Sequence, residues 1–262
     1  MENHKNESFN RKLFTDQLLL TFAIVAVFWG LCIVLGLNGI TIKTHAWMNL
    51  PWMLGAFSTT IASYVALKKN GSIAGFKDWL RNAFDFKHGI WAYLLAILFP
   101  VLHLSIMCLL DGYEKAFPLY MIVPMLPAMM VGGGLEEAGW RYITFPELDK
   151  KFGFVFSTLI TTVIWWLWHL PLFLIPGTGQ YQQNFLVYGI QVLGLSFMMS
   201  TIRKLTGSVW LCALCHSMVN TLLNIYMFNL YGSYVAGTIT TTIIIAVSMI
   251  LLLVSKKKNL FK

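Results

Sequence analysis

Charged side chains are scarce in this chain of 262 residues, in which Asp, Glu, Lys and Arg together make up 11%. Cysteine is scarce too. There are four, all within apolar stretches, so we expect buried, reduced thiols and not the disulfide framework of a small secreted protein. Hydrophobic residues, by contrast, make up 57% of the chain, and the mean hydropathy is +0.67. This composition is typical of an integral membrane protein.

Eight apolar stretches have about the 17 to 25 residues that a membrane-spanning helix needs. They cover residues 18–37, 50–67, 89–110, 119–141, 154–175, 186–202, 208–228 and 234–254. The first has no small-residue cleavage site at its end, so we interpret it as a retained span and not as a signal peptide. No linker, low-complexity segment or internal repeat divides the chain. The sequence therefore predicts an all-α polytopic membrane protein with about eight transmembrane helices in a single membrane domain, residues 1–262.

The basic residues predict the orientation. If the N-terminus is cytoplasmic, 16 of the 18 Lys and Arg residues other than Arg141 lie on the inner side, and only Lys43 and Lys115 lie outside. This asymmetry follows the positive-inside rule and would disappear with one span fewer. Both termini are then cytoplasmic. The net charge of +8 faces an anionic lipid leaflet, and because no basic patch carries interleaved aromatics, we expect no nucleic-acid partner.

One longer loop, residues 68–88, carries Phe76, Trp79, Leu80 and Phe84 at helical spacing between basic residues. This pattern is expected of a short helix that lies in the inner membrane interface. An ordinary connecting loop remains the alternative.

Three ionisable residues end the fourth apolar stretch: Glu136, Glu137 and Arg141. Three charges deep in a bilayer would cost roughly 7 to 10 kcal/mol before any pairing. In a helix, Glu137 and Arg141 share a face and can form an ion pair, while Glu136 points about 100° away. A desolvated carboxylate beside a second negative charge suits a proton acceptor. Glu136 is therefore the candidate general base, with Glu137 and Arg141 as its support. The alternative is a buried packing network without chemistry.

Two histidines and an asparagine lie in other spans. His169 is in the fifth stretch, and His216 is in the seventh, with Asn220 one turn later on the same face. A lone membrane histidine is more often a packing residue, and His103 in the third stretch has no such companion. Glu136 and His169 could hold and deprotonate a water, while His216 and Asn220 donate hydrogen bonds to the oxyanion of a tetrahedral intermediate.

A metal site is the other interpretation of this set. Glu136, His169 and His216 would make a zinc site of two histidines and one carboxylate with an open fourth position. The sequence leaves both mechanisms open. The metal-free version explains Asn220 and the adjacent carboxylate more directly, so we favour it slightly.

These residues resemble the CAAX protease and bacteriocin-processing family of intramembrane proteases, which includes the type II CAAX prenyl endopeptidases and the bacterial proteins similar to lysostaphin resistance protein A. Its motifs are two glutamates with an arginine four residues after the second, an aromatic residue four before a histidine, and a histidine four before an asparagine. In this chain they are met by Glu136, Glu137, Arg141, Trp165, His169, His216 and Asn220. Phenylalanine is commoner than tryptophan at the aromatic position of the family.

The resemblance implies a helical membrane fold whose catalytic core covers approximately residues 119–228, with a cavity open to the cytoplasm and lipid. It implies cleavage of a hydrophobic or membrane-anchored peptide. The chain resembles the bacterial members most, so we expect a multi-pass protein of the cell membrane and a pheromone, bacteriocin leader or membrane-protein segment as substrate. The family leaves metal dependence open.

Other motifs and functions were weighed against this one. Cys212 to His216 matches the haem-attachment pattern C-x-x-C-H, but it lies inside an apolar helix, where attachment is not expected. The chain contains neither H-E-x-x-H nor G-x-S-x-G. A non-proteolytic bacteriocin immunity or scaffold protein remains possible, as does a proton-coupled transporter, although no proline-broken helices occur in paired halves.

Overall fold

The computed structural model describes residues 8–227 and 233–258. Lys5, Phe228 and Lys262, which entered the span and orientation predictions, lie outside the described residues. The chain is helical almost throughout, and its α-helices are α1 (Arg11–Leu37), α2 (Asn49–Ala56), α3 (Ser58–Lys69), α4 (Phe76–Ala83), α5 (Ile90–Asp111), α6 (Ile122–Gly132), α7 (Glu137–Gly139), α8 (Phe145–Trp168), α9 (Phe185–Thr206), α10 (Val209–Ile225) and α11 (Tyr234–Lys258). The prediction of an all-α polytopic membrane protein is confirmed.

Two short strands are the exception to this helical fold. In the described part of the chain, β1 (Glu114–Lys115) and β2 (Tyr226–Met227) form one antiparallel pair. The pair joins the loop after α5 to the end of α10. It therefore ties together two helices that contribute to the site described below.

Five helical segments of the described residues are long and apolar enough to cross a membrane, and a sixth is the pair Ala46–Ala56 and Ser58–Lys69, bent by 43°. The longest, Leu119–Phe173, has 55 residues. A straight helix of that length would extend about 80 Å, more than twice the thickness of a bilayer core. Gly153 interrupts it with a left-handed conformation, φ 72°, so the chain can turn there. The count of eight spans and the orientation of the termini stay predictions.

Helix faces differ in the way expected of a protein surrounded by lipid. Large apolar side chains on outer faces, such as Leu19, Leu98 and Val235, are 57 to 71% exposed. Small polar side chains pack between helices instead: Thr158, Thr161 and Ser196 are buried. A lipid-facing surface is apolar because hydrocarbon does not hydrogen-bond, while small residues allow helices to approach closely.

The loop after α3 contains the helix α4. Of the two alternatives for residues 68–88, a short helix and an ordinary connecting loop, the structure has the helix. Phe76 and Leu80 are exposed on it, while Trp79 is buried. The indole Nε1 of Trp79 donates to Oγ of Ser63 at 3.1 Å. This bond holds α4 against α3.

The segment after α6 departs from a regular helix. Its backbone runs through a 3-10 turn, Gly134–Glu136, the single turn α7 and a π-helical turn, Trp140–Thr144. The π turn is held from outside, because Nε of Arg203 on α9 donates to the carbonyl oxygen of Arg141 at 2.7 Å. Such π turns are frequent at functional sites. The segment carries both glutamates and the arginine singled out in the sequence.

Glycines allow this irregular segment to lie directly on α10. A Cβ atom added to Gly134 would lie 2.2 Å from Oγ of Ser217 and 2.8 Å from the carbonyl oxygen of Ala213. No side chain fits there without a shift of the backbone. The absence of a side chain at residue 134 therefore allows the segment to contact α10 directly.

Candidate active site

Four of the predicted site residues border one cavity of about 160 Å³. Glu136 comes from the 3-10 turn before α7, His169 from the end of α8, and His216 and Asn220 from α10. They are separated by up to 84 positions in the chain. The fold thus brings together the acid, the two histidines and the asparagine that the sequence suggested as one set.

Glu136 is 8% exposed and receives a hydrogen bond from a tryptophan. Nε1 of Trp165 donates to Oε2 of Glu136 at 2.9 Å. The sequence identified Trp165 only as the aromatic residue of a motif and did not predict this bond. The sequence did hold one indication of this bond, because tryptophan has an indole N–H donor and phenylalanine, the commoner residue of the motif, has none. The bond fixes one carboxylate oxygen.

Glu137 is completely buried between Arg141 and His216. Its Oε2 lies 3.4 Å from Nη1 of Arg141, and its Oε1 lies 2.9 Å from Nδ1 of His216. The predicted ion pair with Arg141 is present, although the bond to His216 was not predicted. Because Glu137 and Arg141 sit behind the cavity wall, they orient other groups and do not face the cavity.

Arg141 is anchored by more than its ion pair. Its Nη2 donates to the carbonyl oxygen of Ser196 at 3.3 Å and to Oγ of Ser196 at 3.1 Å. The guanidinium carbon also lies 5.2 Å from the centre of the Trp165 ring, a cation–π distance. Burying a charge pair is costly unless further bonds satisfy it, and here they satisfy Nη2 only, since Nε and Nη1 make no hydrogen bond within the described residues. The planar fork of arginine makes these contacts together.

His169 presents one ring nitrogen to the cavity. Its Nδ1 lies 2.8 Å from the carbonyl oxygen of Trp165. A carbonyl oxygen only accepts, so Nδ1 carries the hydrogen and Nε2 of the neutral ring is an acceptor. The ring packs edge-on against Trp168 and Tyr188, at centroid distances of 4.7 and 5.0 Å. These contacts fix its orientation.

His216 and Asn220 lie against Gly133. A Cβ atom added to Gly133 would lie 2.3 Å from Nδ2 of Asn220 and 3.2 Å from Nε2 of His216. The other ring nitrogen of His216 donates to Glu137, so Nε2 is the nitrogen near the cavity. Because residue 133 has no side chain, Nδ2 of Asn220 and Nε2 of His216 can occupy this space.

A second polar pair lines the same cavity. Nε2 of His103 on α5 lies 3.3 Å from Oε1 of Gln191 on α9, and the two residues are 2% and 6% exposed. A hydrogen bond between membrane helices contributes on average only about 0.6 kcal/mol. A buried hydrogen-bonding atom without a partner costs about 1 to 3 kcal/mol. No spacing in the sequence links residue 103 to the other histidines, since α5 and α9 meet only in the fold.

The cysteines near His216 pack and do not face the cavity. Sγ of Cys212 donates to the carbonyl oxygen of Ser208 at 3.1 Å, and Sγ of Cys215 lies 3.2 Å from Sδ of Met198. Both residues are buried, as is Cys32. Cys108 is only half-buried, because it lies on a less enclosed face of α5, so the expectation of four buried thiols is wrong for that one.

The possible zinc ligands border the same cavity but are not grouped closely enough to hold a metal ion. Throughout residues 8–227 and 233–258, no three His, Cys, Asp or Glu side chains are grouped so that they could hold a metal ion. The bonds of Nδ1 in His169 and His216, to a carbonyl and a carboxylate, would suit zinc ligands as well as a metal-free site. The misfit lies in the spacing of the three side chains, so the proposed mechanism involves no metal.

Comparison with known proteins supports a multi-pass membrane peptidase. Residues 117–222 match the family model of the type II CAAX prenyl endopeptidases, Rce1-like. A CAAX prenyl protease 2 of Methanococcus maripaludis is 22% identical over 250 residues, which cover 90% of this chain and 89% of that protein. The resemblance to the type II CAAX prenyl endopeptidases, which the motifs indicated, is therefore confirmed over residues 117–222.

Proposed function

We propose that this protein is an intramembrane endopeptidase that hydrolyses a peptide bond of a hydrophobic or membrane-anchored peptide, with Glu136 as general base. The observation that carries the proposal is the convergence of Glu136, His169, His216 and Asn220 on one cavity. A general base and hydrogen-bond donors around one space are what attack of water on an amide requires.

Water is activated between Glu136 and His169. Nε2 of His169 accepts one hydrogen of the water, and Oε1 of Glu136 takes the proton as the water oxygen bonds to the carbonyl carbon. The C–N bond then breaks, and Glu136 returns the proton to the leaving amine. Trp165 holds the other carboxylate oxygen throughout, so the base keeps one orientation.

The oxyanion of the intermediate is stabilised by Asn220 and His216. Nδ2 of Asn220 is a neutral donor. His216 donates through Nε2 only as imidazolium, and the carboxylate of Glu137 at its Nδ1 favours that charge. Arg141 keeps Glu137 in place. A donor aimed at such an oxyanion typically contributes a factor of about 10² to 10³ to kcat.

The remaining wall of the cavity suits an apolar substrate. Its aromatic and aliphatic members include Trp29, Trp52, Trp168, Leu172, Leu195 and Leu223. Apolar side chains or a lipid anchor would lie against this wall, since burial of apolar surface is favourable. A prenylated CAAX peptide, the kind of substrate in the relative's name, is therefore one probe. An unmodified hydrophobic peptide is the second.

Glu136→Gln tests the proposal. Parent and variant are purified after confirmed membrane insertion, and cleavage of both probes is followed by mass spectrometry. The matched control is Glu147→Gln, since Glu147 is also a buried carboxylate but binds Lys150 and the backbone N–H of Asn10 away from the cavity.

We expect the parent and the Glu147 variant to cleave at least one probe, and the Glu136 variant to lose cleavage by 10²-fold or more. Equal cleavage by the Glu136 variant would contradict the proposal. Protection of cells against a bacteriocin that persists undiminished in this variant would indicate a non-proteolytic immunity protein. A proton-linked flux that persists without peptide cleavage would indicate a transporter.

A further inference from the structure

His103 and Gln191 form a polar pair that the hydrolytic mechanism does not use. His103 is the first Asp, Glu, Lys, Arg or His of α5, after thirteen apolar or neutral residues. It is buried, borders the cavity and holds Gln191 through its Nε2. A buried ionisable side chain in a membrane helix is costly and is a functional candidate by default.

One ring nitrogen of His103 remains available. Because Oε1 of Gln191 only accepts, Nε2 of His103 carries the hydrogen, and Nδ1 of the neutral ring is an acceptor. Among the described residues no hydrogen bond reaches this Nδ1. The pair therefore satisfies one ring nitrogen and leaves an acceptor on a side chain that lines the cavity.

The pair adjoins the proposed catalytic groups. Tyr188, Gln191 and Leu195 on α9 follow the spacing of one helix face, and all three line the cavity. Tyr188 contacts the ring of His169 at a centroid distance of 5.0 Å, and it lies one turn from Gln191. A peptide whose scissile bond is at Glu136 and His169 would therefore extend along α9 towards His103.

An extended peptide in this cavity needs an acceptor as well as donors. In the proposed mechanism Asn220 and His216 donate to a substrate carbonyl, and neither is assigned to a backbone N–H of the substrate. An amide N–H that enters an apolar cavity without a partner is strongly disfavoured. We propose that His103, oriented by Gln191, is a substrate-binding residue whose Nδ1 accepts a hydrogen bond from a backbone N–H of the substrate near the scissile bond. This inference rests on the proposed peptidase function.

A simpler role would be that the pair only holds α5 against α9. That role predicts lower stability and no dependence on substrate chemistry. N-methylation of the substrate separates the two, because it removes one backbone N–H at a time. The experiment uses the hydrophobic peptide cleaved by the full-length parent protein, synthesised with a single N-methyl group at each backbone nitrogen except the scissile one.

We expect one N-methyl position near the scissile bond to lower kcat/KM of the parent about tenfold more than the other positions do. In His103→Phe and in Gln191→Leu, the loss of kcat/KM caused by N-methylation at that position should be within about twofold of the loss at the other positions. Both variants should also raise KM of the unmodified peptide more than they lower kcat. The control is Thr241→Val, which removes an interhelical hydrogen bond from Thr241 Oγ1 to the carbonyl oxygen of Ile190, 2.8 Å long and away from the cavity lining. It should keep the parent profile.

The same N-methyl profile in the parent, the His103 variant and the Gln191 variant would overturn the subsite. If His103→Phe fails to accumulate, the profile of Gln191→Leu decides. If the profiles overturn the subsite while Glu136→Gln still abolishes cleavage, the proposed peptidase function stands. No cleavage of any peptide by the parent would overturn both proposals.

Discussion

Trp165→Phe removes the hydrogen bond from the indole of Trp165 to Glu136 and keeps an aromatic ring in place. The bond from Nε1 of Trp165 to Oε2 of Glu136 is 2.9 Å long and buried. Phenylalanine keeps a six-membered ring at this position, so the ring should pack largely as before. The ring contacts with His169, His216 and Arg141 should be largely kept.

The size of the effect follows from the charge of the acceptor. A general base must be ionised to take a proton, and a hydrogen bond to an ionised group contributes about 1.5 to 3 kcal/mol. Each 1.36 kcal/mol corresponds to a factor of ten in rate. We therefore expect kcat to fall about 10- to 150-fold. KM should change less than about threefold, because the indole holds Glu136 and not the substrate.

Trp166→Phe is the matched control. Nε1 of Trp166 donates to the carbonyl oxygen of Phe185, also at 2.9 Å, and Trp166 does not line the cavity. Steady-state cleavage of the probe peptide is measured for the parent and both variants at equal amounts of inserted protein. A kcat for Trp165→Phe equal to that of the parent, or reduced no more than that of Trp166→Phe, would refute the positioning of Glu136 by this indole.

Three further outcomes are expected. Gly133→Ala should lower kcat at least tenfold with normal accumulation, because a Cβ atom there displaces the flexible end of Asn220. The control Gly132→Ala, whose added Cβ atom meets nothing closer than 4.0 Å, should cleave like the parent. Equal rates for the two variants would contradict the close approach of Gly133 to Asn220. Arg141→Lys should lower cleavage about tenfold more than it lowers accumulation, since an ammonium cannot reach all the partners of the guanidinium; unchanged cleavage would argue against the anchoring role. Metal analysis should find less than stoichiometric zinc in purified protein, and stoichiometric zinc that is lost on substitution of Glu136 would contradict the metal-free mechanism.

Local spacing was sufficient for part of the site. The ion pair of Glu137 with Arg141 spans one helical turn, and so does the step from His216 to Asn220, so both relations follow from the period of a helix. The apolar stretches likewise fall on helices because length and hydropathy are properties of the chain itself. What depends on neighbours in the sequence was predictable.

Contacts between distant segments were not. The bond of Glu137 to His216 joins residues 79 positions apart, and that of His103 to Gln191 joins residues 88 apart. No helical spacing in the sequence relates the two residues of either pair. The π turn at Trp140–Thr144 was also missed, because it depends on Arg203 reaching across from α9. Tertiary contacts decided these features.

The central claim is that Glu136 activates water for peptide hydrolysis, and one comparison tests it most directly. Membrane peptides are profiled by mass spectrometry in cells that carry either the parent or Glu136→Gln, at equal amounts of inserted protein. We expect cleavage products that appear with the parent and are absent with the variant. Purified parent protein should make the same cut in a synthetic peptide. Identical product profiles for the two, combined with equal cleavage of that peptide in vitro, would contradict it.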